Sequence, residues 1–87
     1  DVLDRFVTQA SRILVALAAL PPEAAALAHS LKGSALAIGA VRVAACAGVA
    51  ERALVKGEDP SQAIAALHAA VMQANASIRK RMSNPPH

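Results

Sequence analysis

The chain predicts an all-α fold, an antiparallel up-down-up-down four-helix bundle that takes in residues 1–87 as a single domain. Three observations predict it. Apolar residues make up 55% of the chain and aromatics only 1%, so the core must be built from Leu, Val, Ile and many Ala side chains at close helix spacing. Apolar positions recur with a helical period in four segments, punctuated by Pro21-Pro22, by Gly39, and by Gly57 with Asp59-Pro60. The connections between those segments are short, which favours antiparallel neighbours.

The first helix is expected from about Val2 to Ala19, with Phe6, Ala10, Ile13, Leu17 and Leu20 on its buried stripe. Proline is tolerated in a first helical turn, so Pro21-Pro22-Glu23 both stops this helix and opens the second. The second pattern runs on to Ile38, turns Leu27, Leu31, Ser34 and Ile38 inward, and takes Gly39 as its C-cap. A third helix, about Val41 to Val55, places Val43, Ala47, Ala50 and Leu54 on one stripe with Cys46 beside them, and Gly57 ends it. Asp59-Pro60-Ser61-Gln62 is a strong helix start: Asp59 can accept from backbone N–H groups, Pro60 suits the first turn and Gln62 can reach back. The last helix buries Ile64, Leu67, Val71, Ala74 and Ile78, and frays around Ser83-Asn84 before Pro85-Pro86.

Length and composition exclude several classes of function. Eighty-seven residues leave no room for a catalytic domain with a nucleotide pocket. A net charge of +3 raises the question of nucleic acid, but the basic residues are dispersed except for Arg79-Lys80-Arg81, and there is no Tyr or Trp for base stacking. That basic run reads as a helix C-terminus complementing its own dipole, and no nucleic-acid partner is expected. The single Cys46 allows no internal disulfide, and no signal peptide opens the chain, so a cytoplasmic location is expected. The longest weakly polar stretch, Gly33 to Ala50, contains Arg42 and two further glycines, which argues against membrane insertion by this segment. A chain that begins at Asp1 without methionine suits a piece of a longer protein such as a hybrid sensor kinase. Three scattered histidines and one cysteine lack zinc-site spacing, so no metal is expected; His68 falls at the edge of the last helix's stripe, and His87 is a loose terminal residue.

The second segment carries the chemistry. Relative to the expected stripe, His29 points roughly 180° away, into water, with Lys32 and Gly33 on either side of its direction. Leu36 lies two turns further along that face and Ala25 one turn before it. Glycine inside a helix costs about 1 kcal/mol relative to alanine, in a chain that uses alanine almost everywhere else, so Gly33 suggests close approach by another molecule. A hydrolytic reading with Ser30 or Ser34 is weak, because Ser30 faces about 100° from His29 and no carboxylate is expected nearby to orient the imidazole. No Gly-rich phosphate loop is present, so His29 is not expected to phosphorylate itself from ATP.

His29-Ser30-Leu31-Lys32-Gly33-Ser34, followed by Gly39-Ala40, resembles the signature of histidine-containing phosphotransfer (HPt) domains. Cys46, Glu51-Arg52 and Leu54 are similar to the second motif helix of those domains, and with the flanking helices the resemblance covers the whole chain. It implies a monomeric phosphoryl carrier without autonomous catalysis. His29 would accept a phosphoryl group from an aspartyl phosphate on a response-regulator receiver domain and pass it to another receiver. A neutral exposed imidazole offers a nucleophilic nitrogen without an activating base. Lys32 would offset phosphoryl charge after transfer and slightly disfavour protonation of His29 before it, and Gly33 would leave room for the receiver. Leu36 and Ala25 would supply apolar docking contact. Magnesium is expected in the receiver, with no cofactor held by this chain. Two alternatives stand beside this reading: an adaptor that binds a receiver without phosphorylation, and the substrate domain of a chemotaxis-type histidine kinase.

Overall fold

Alanine-rich segments between strong helix stops give four helices in this computed structural model, which describes residues 2–83 and the side chains of residues 2–80. They are α1 (Val2–Ala18), α2 (Ala24–Ala37), α3 (Val41–Lys56) and α4 (Ser61–Ser83), with no strand among the described residues. Each helix packs on the next and α1 also packs on α4, while α1 and α3, and α2 and α4, do not meet. The core runs down the middle, with Leu17, Leu31, Val43, Leu67 and Val71 as its largest fully buried side chains. The one aromatic residue, Phe6, is buried among them.

The connections follow local chemistry. At the end of α2, Gly39 adopts φ +79° and lets the Ala40 N–H donate to the Ala35 carbonyl at 2.8 Å. Gly57 does the same for α3 at φ +75°, with the Glu58 N–H donating to Ala53 at 2.9 Å. Ahead of α4, Asp59 Oδ1 accepts from the Ser61 N–H at 3.0 Å and from the Ser61 hydroxyl at 2.6 Å, which holds the Asp59 carboxyl below its ordinary range. Arg42 donates to Gln73 at 2.9 Å and ties α3 to α4.

Four expectations need correction. Leu20 is exposed rather than on the α1 stripe, because α1 ends at Ala18 and Leu20 lies beyond it with φ +48°. The Pro21-Pro22-Glu23 segment forms a turn, with the Ala24 N–H donating to the Pro21 carbonyl at 3.0 Å, and α2 begins only at Ala24. The buried face of α2 is also rotated. Ala24, Ala28, Leu31 and Ala35 are buried, while Leu27, Ser34 and Ile38 are half-buried at its margin, a shift of about 60° around the helix axis. Small side chains let neighbouring helices approach closely, so the alanine face rather than the leucine face packs tightest. In α3 the buried set is Val43, Ala44, Ala47, Gly48 and Ala50, with Leu54 and Cys46 half-buried. In α4 Leu67, Val71 and Ile78 are buried as expected, joined by Ala70 and Asn75, with Ile64 and Ala74 half-buried and His68 exposed rather than at the stripe's edge. Ser83 closes α4; Asn84, Pro85, Pro86 and His87 lie outside the described residues.

Asn75 is 7% exposed and its Oδ1 is enclosed without a hydrogen-bond partner. An unpaired buried amide oxygen costs about 1–3 kcal/mol. Asn75→Leu is therefore expected to raise the thermal midpoint, measured by circular dichroism; a lower midpoint would show that the amide is satisfied in solution.

Candidate functional site

His29 lies on α2 between the helix's two packed neighbours, α1 and α3, and its side chain is 66% exposed. It is not alone there. Nδ1 of His29 stands 2.9 Å from Oε2 of Glu51 on α3, and Oε1 of the same carboxylate accepts from Lys32 Nζ at 3.0 Å. One carboxylate thus bridges two residues of the facing helix. The expectation that no carboxylate orients the imidazole is overturned: Glu51, 22 positions away in sequence, does so.

The rotation of α2 explains the geometry. With the alanine face inward, Lys32 turns toward α3 and is only 34% exposed, instead of flanking His29 in open water. Its stem runs over Gly48, where an added Cβ would lie 3.5 Å from Lys32 Cδ and 3.9 Å from Arg52 Nη1. Those are ordinary contact distances, so alanine would fit and a larger side chain would displace the lysine. The ammonium that reaches Glu51 holds its carboxyl below the usual 4.5, a pull reinforced by His29 and opposed by partial burial.

Because an ionised carboxylate can only accept, Nδ1 of His29 is the donor in its bond to Glu51. In the neutral ring this leaves the Nε2 lone pair free. Glu51 also favours any positive charge that develops on the ring, while Lys32 cancels the charge Glu51 would otherwise present to an approaching anion. The arrangement therefore presents an oriented imidazole with a charge-balanced support.

Gly33 is exposed, and a Cβ built on it would meet nothing within 4 Å, so the fold itself places no demand for glycine there. Leu36 is 60% exposed and lines a groove of about 460 Å³ between α2 and α3 together with Lys32, Val41, Val49 and Arg52. Ala25 is half-buried, one turn before His29. A second groove, of about 510 Å³, lies between α1 and α2 and is lined by Arg12, Leu27 and Ser30 among others. Glu51, Gly48, Val41 and Val49 escaped the sequence reading of the site. The short link at residues 38–40 contained a signal, since positions at similar distances on either side of such a link lie nearly level, as His29 before it and Glu51 after it do. Among the described residues no cluster of His, Cys, Asp and Glu could hold a metal ion, and no helix is long and apolar enough to cross a membrane.

The fold and site together define an all-helical domain that carries an exposed, hydrogen-bonded imidazole on its surface. The family model for the Hpt domain matches residues 1–77, and the chain belongs to that family. Hpt domains are phosphocarrier modules of phosphorelays rather than catalysts, and their partners are receiver domains of response regulators. No curated protein and no solved structure gives a significant match to the chain.

Removal of the Glu51 charge tests the support. Glu51→Gln is expected to slow phosphorylation of His29 by phosphoramidate about tenfold while helicity is retained. A carboxyl held below its ordinary value stabilises the fold fully above about pH 4.5, and that contribution is lost as the pH falls through the folded value. The thermal midpoints of the wild type and Glu51→Gln should accordingly differ near pH 7 and converge well below pH 4.5.

Proposed function

We propose that this chain is a histidine phosphotransfer module that accepts a phosphoryl group on His29 from a receiver's aspartyl phosphate and hands it to a second receiver. The observation that carries the reading is the Nδ1 bond to Glu51, which leaves Nε2 as the outward nucleophile. In the transfer, the Nε2 lone pair forms the N–P bond while the acyl phosphate P–O bond breaks, and the bonding pair departs with the receiver's carboxylate. No proton has to leave the ring. The phosphorylated imidazole is cationic with Nδ1 still protonated, and Glu51 faces that charge at 2.9 Å. Onward transfer runs the same steps in reverse, returning a neutral ring. Lys32, paired with Glu51, keeps that carboxylate from repelling the incoming phosphoryl group and offsets phosphoryl charge after transfer.

Magnesium belongs to the receiver in this reading, and the chain contributes the nucleophile and the docking face. Leu36, with Val41 and Val49 across the groove, supplies apolar contact. Ala25 extends that contact on the other side of His29, and Gly33 leaves the approach open. The module works as a monomer on an antiparallel up-down-up-down bundle. Supporting that topology, His29 meets Glu51, Lys32 meets Gly48 and Leu36 shares a groove with Val41, so advance along α2 matches retreat along α3. Cytoplasmic receivers would require this domain on the cytoplasmic side. An adaptor would have no use for an oriented nucleophilic nitrogen, which favours the relay over phosphorylation-independent binding.

Incubation with a receiver charged by acetyl phosphate should place one acid-labile phosphate on His29, located by intact mass and peptide mapping, and His29→Gln should abolish it. Label on another residue would overturn the assignment. Phosphate gained only when an ATP-bound kinase domain is supplied directly would point to the chemotaxis-type kinase substrate instead. Gly33→Ala should stabilise the isolated domain by about 1 kcal/mol through helix propensity. Gly33→Leu should leave the fold intact but block transfer from the receiver.

A further inference from the structure

The charges around His29 are asymmetric. Glu51 is the carboxylate in contact with the imidazole, and Lys32 neutralises it. On the α3 side Arg52 is exposed, one residue beyond Glu51, and its guanidinium lies back over Gly48 beside the Lys32 stem at the rim of the apolar groove. On the α1 side Arg12 is exposed and lines the other groove with Ser30, the residue next to His29. Neither arginine takes part in an ion pair among the described residues. Asp4 and Arg5 line the same groove about two turns further along α1, at its far end from Ser30, and Glu23 stands ahead of α2. Two uncompensated guanidinium groups therefore stand at the level of the nucleophile, on opposite sides of it.

An aspartyl phosphate that depends on magnesium must sit among carboxylates, since those are the ligands the ion takes alongside phosphate oxygens. A partner carrying such a site presents an acidic rim, and a guanidinium can engage a carboxylate through two parallel hydrogen bonds. Resting on the phosphotransfer reading above, we infer that Arg12 and Arg52 are the specificity-determining cations of the docking face, engaging acidic side chains on either side of the receiver's phosphoaspartate pocket. The apolar groove at Leu36 gives adhesion without charge preference, whereas the two arginines favour acid-rimmed receivers and speed encounter with them. Their action is on association rather than on the bond-making step, because neither is hydrogen-bonded to His29, Glu51 or Lys32.

The test compares the 87-residue wild type with Arg12→Glu, Arg52→Glu and the double variant, each checked for helicity, using a receiver domain charged with acetyl phosphate. Each reversal should lower kcat/KM for transfer about tenfold with kcat nearly unchanged, and the double variant should lower it further. The wild-type rate should fall between about 50 and 300 mM salt and the double variant's should not. Arg12→Lys and Arg52→Lys should recover most of the lost rate, and phosphorylation of His29 by phosphoramidate should be the same in all variants. Unchanged kcat/KM and an unchanged salt dependence in folded variants would overturn the inference. A wild-type chain that takes phosphate neither from phosphoramidate nor from any receiver would instead overturn the phosphotransfer reading, and this inference with it.

Discussion

The close approach of α2 and α3 is the constraint on which the site depends. Ala24, Ala28 and Ala35 from one helix and Ala44, Ala47, Gly48 and Ala50 from the other are buried, and none carries more than a methyl group. Helices that meet through such residues come nearer than helices meeting through leucines, because the axis separation follows side-chain size at the contact. At that short separation a half-buried glutamate on α3 spans to α2, and a lysine on α2 lies across a glycine to meet it. The poor aromatic content of the chain and the geometry of its hydrogen-bonded histidine are two results of one packing choice.

The carboxylate between His29 and Lys32 divides the chemistry economically. A surface imidazole tumbles between rotamers and between tautomers, and either freedom dilutes the population able to attack. One charged hydrogen bond to Glu51 removes much of both freedoms without burying the ring. The lysine in turn balances the charge of that carboxylate. Nothing in this arrangement needs a closed cavity, which fits the phosphotransfer role proposed for His29.

Much of this was legible in the sequence, though not evenly. The helix count, the stops at Gly39 and Gly57, and the start at Asp59 were readable because they follow from local backbone chemistry that leaves little choice. The outward position of His29 and Gly33 was readable too, since it depends on period alone. The buried face of α2 is not legible from hydrophobicity, because Leu27 and Ile38 outweigh alanines on that scale whereas close packing rewards smallness. The half-burial of Lys32 follows from that face, and with it the partner that Lys32 turns toward. Glu51 belongs to another helix, so no periodicity within α2 reveals it, and Asn75 escapes a pattern of apolar residues because it is polar.

The tight stop at Gly39 has a further consequence. Connecting loops are ordinarily where a domain tolerates insertion, because their length changes little else. Here the three residues between α2 and α3 act as a ruler: they decide which residue of α3 stands opposite His29. One extra residue absorbed into the start of α3 would carry Glu51 about 100° around the helix and about 1.5 Å along it, leaving the fold free to close while the imidazole lost its anchor. Variation among proteins built this way should therefore accumulate at the α1–α2 and α3–α4 links and spare the one between α2 and α3, where the length of a turn is part of the chemistry.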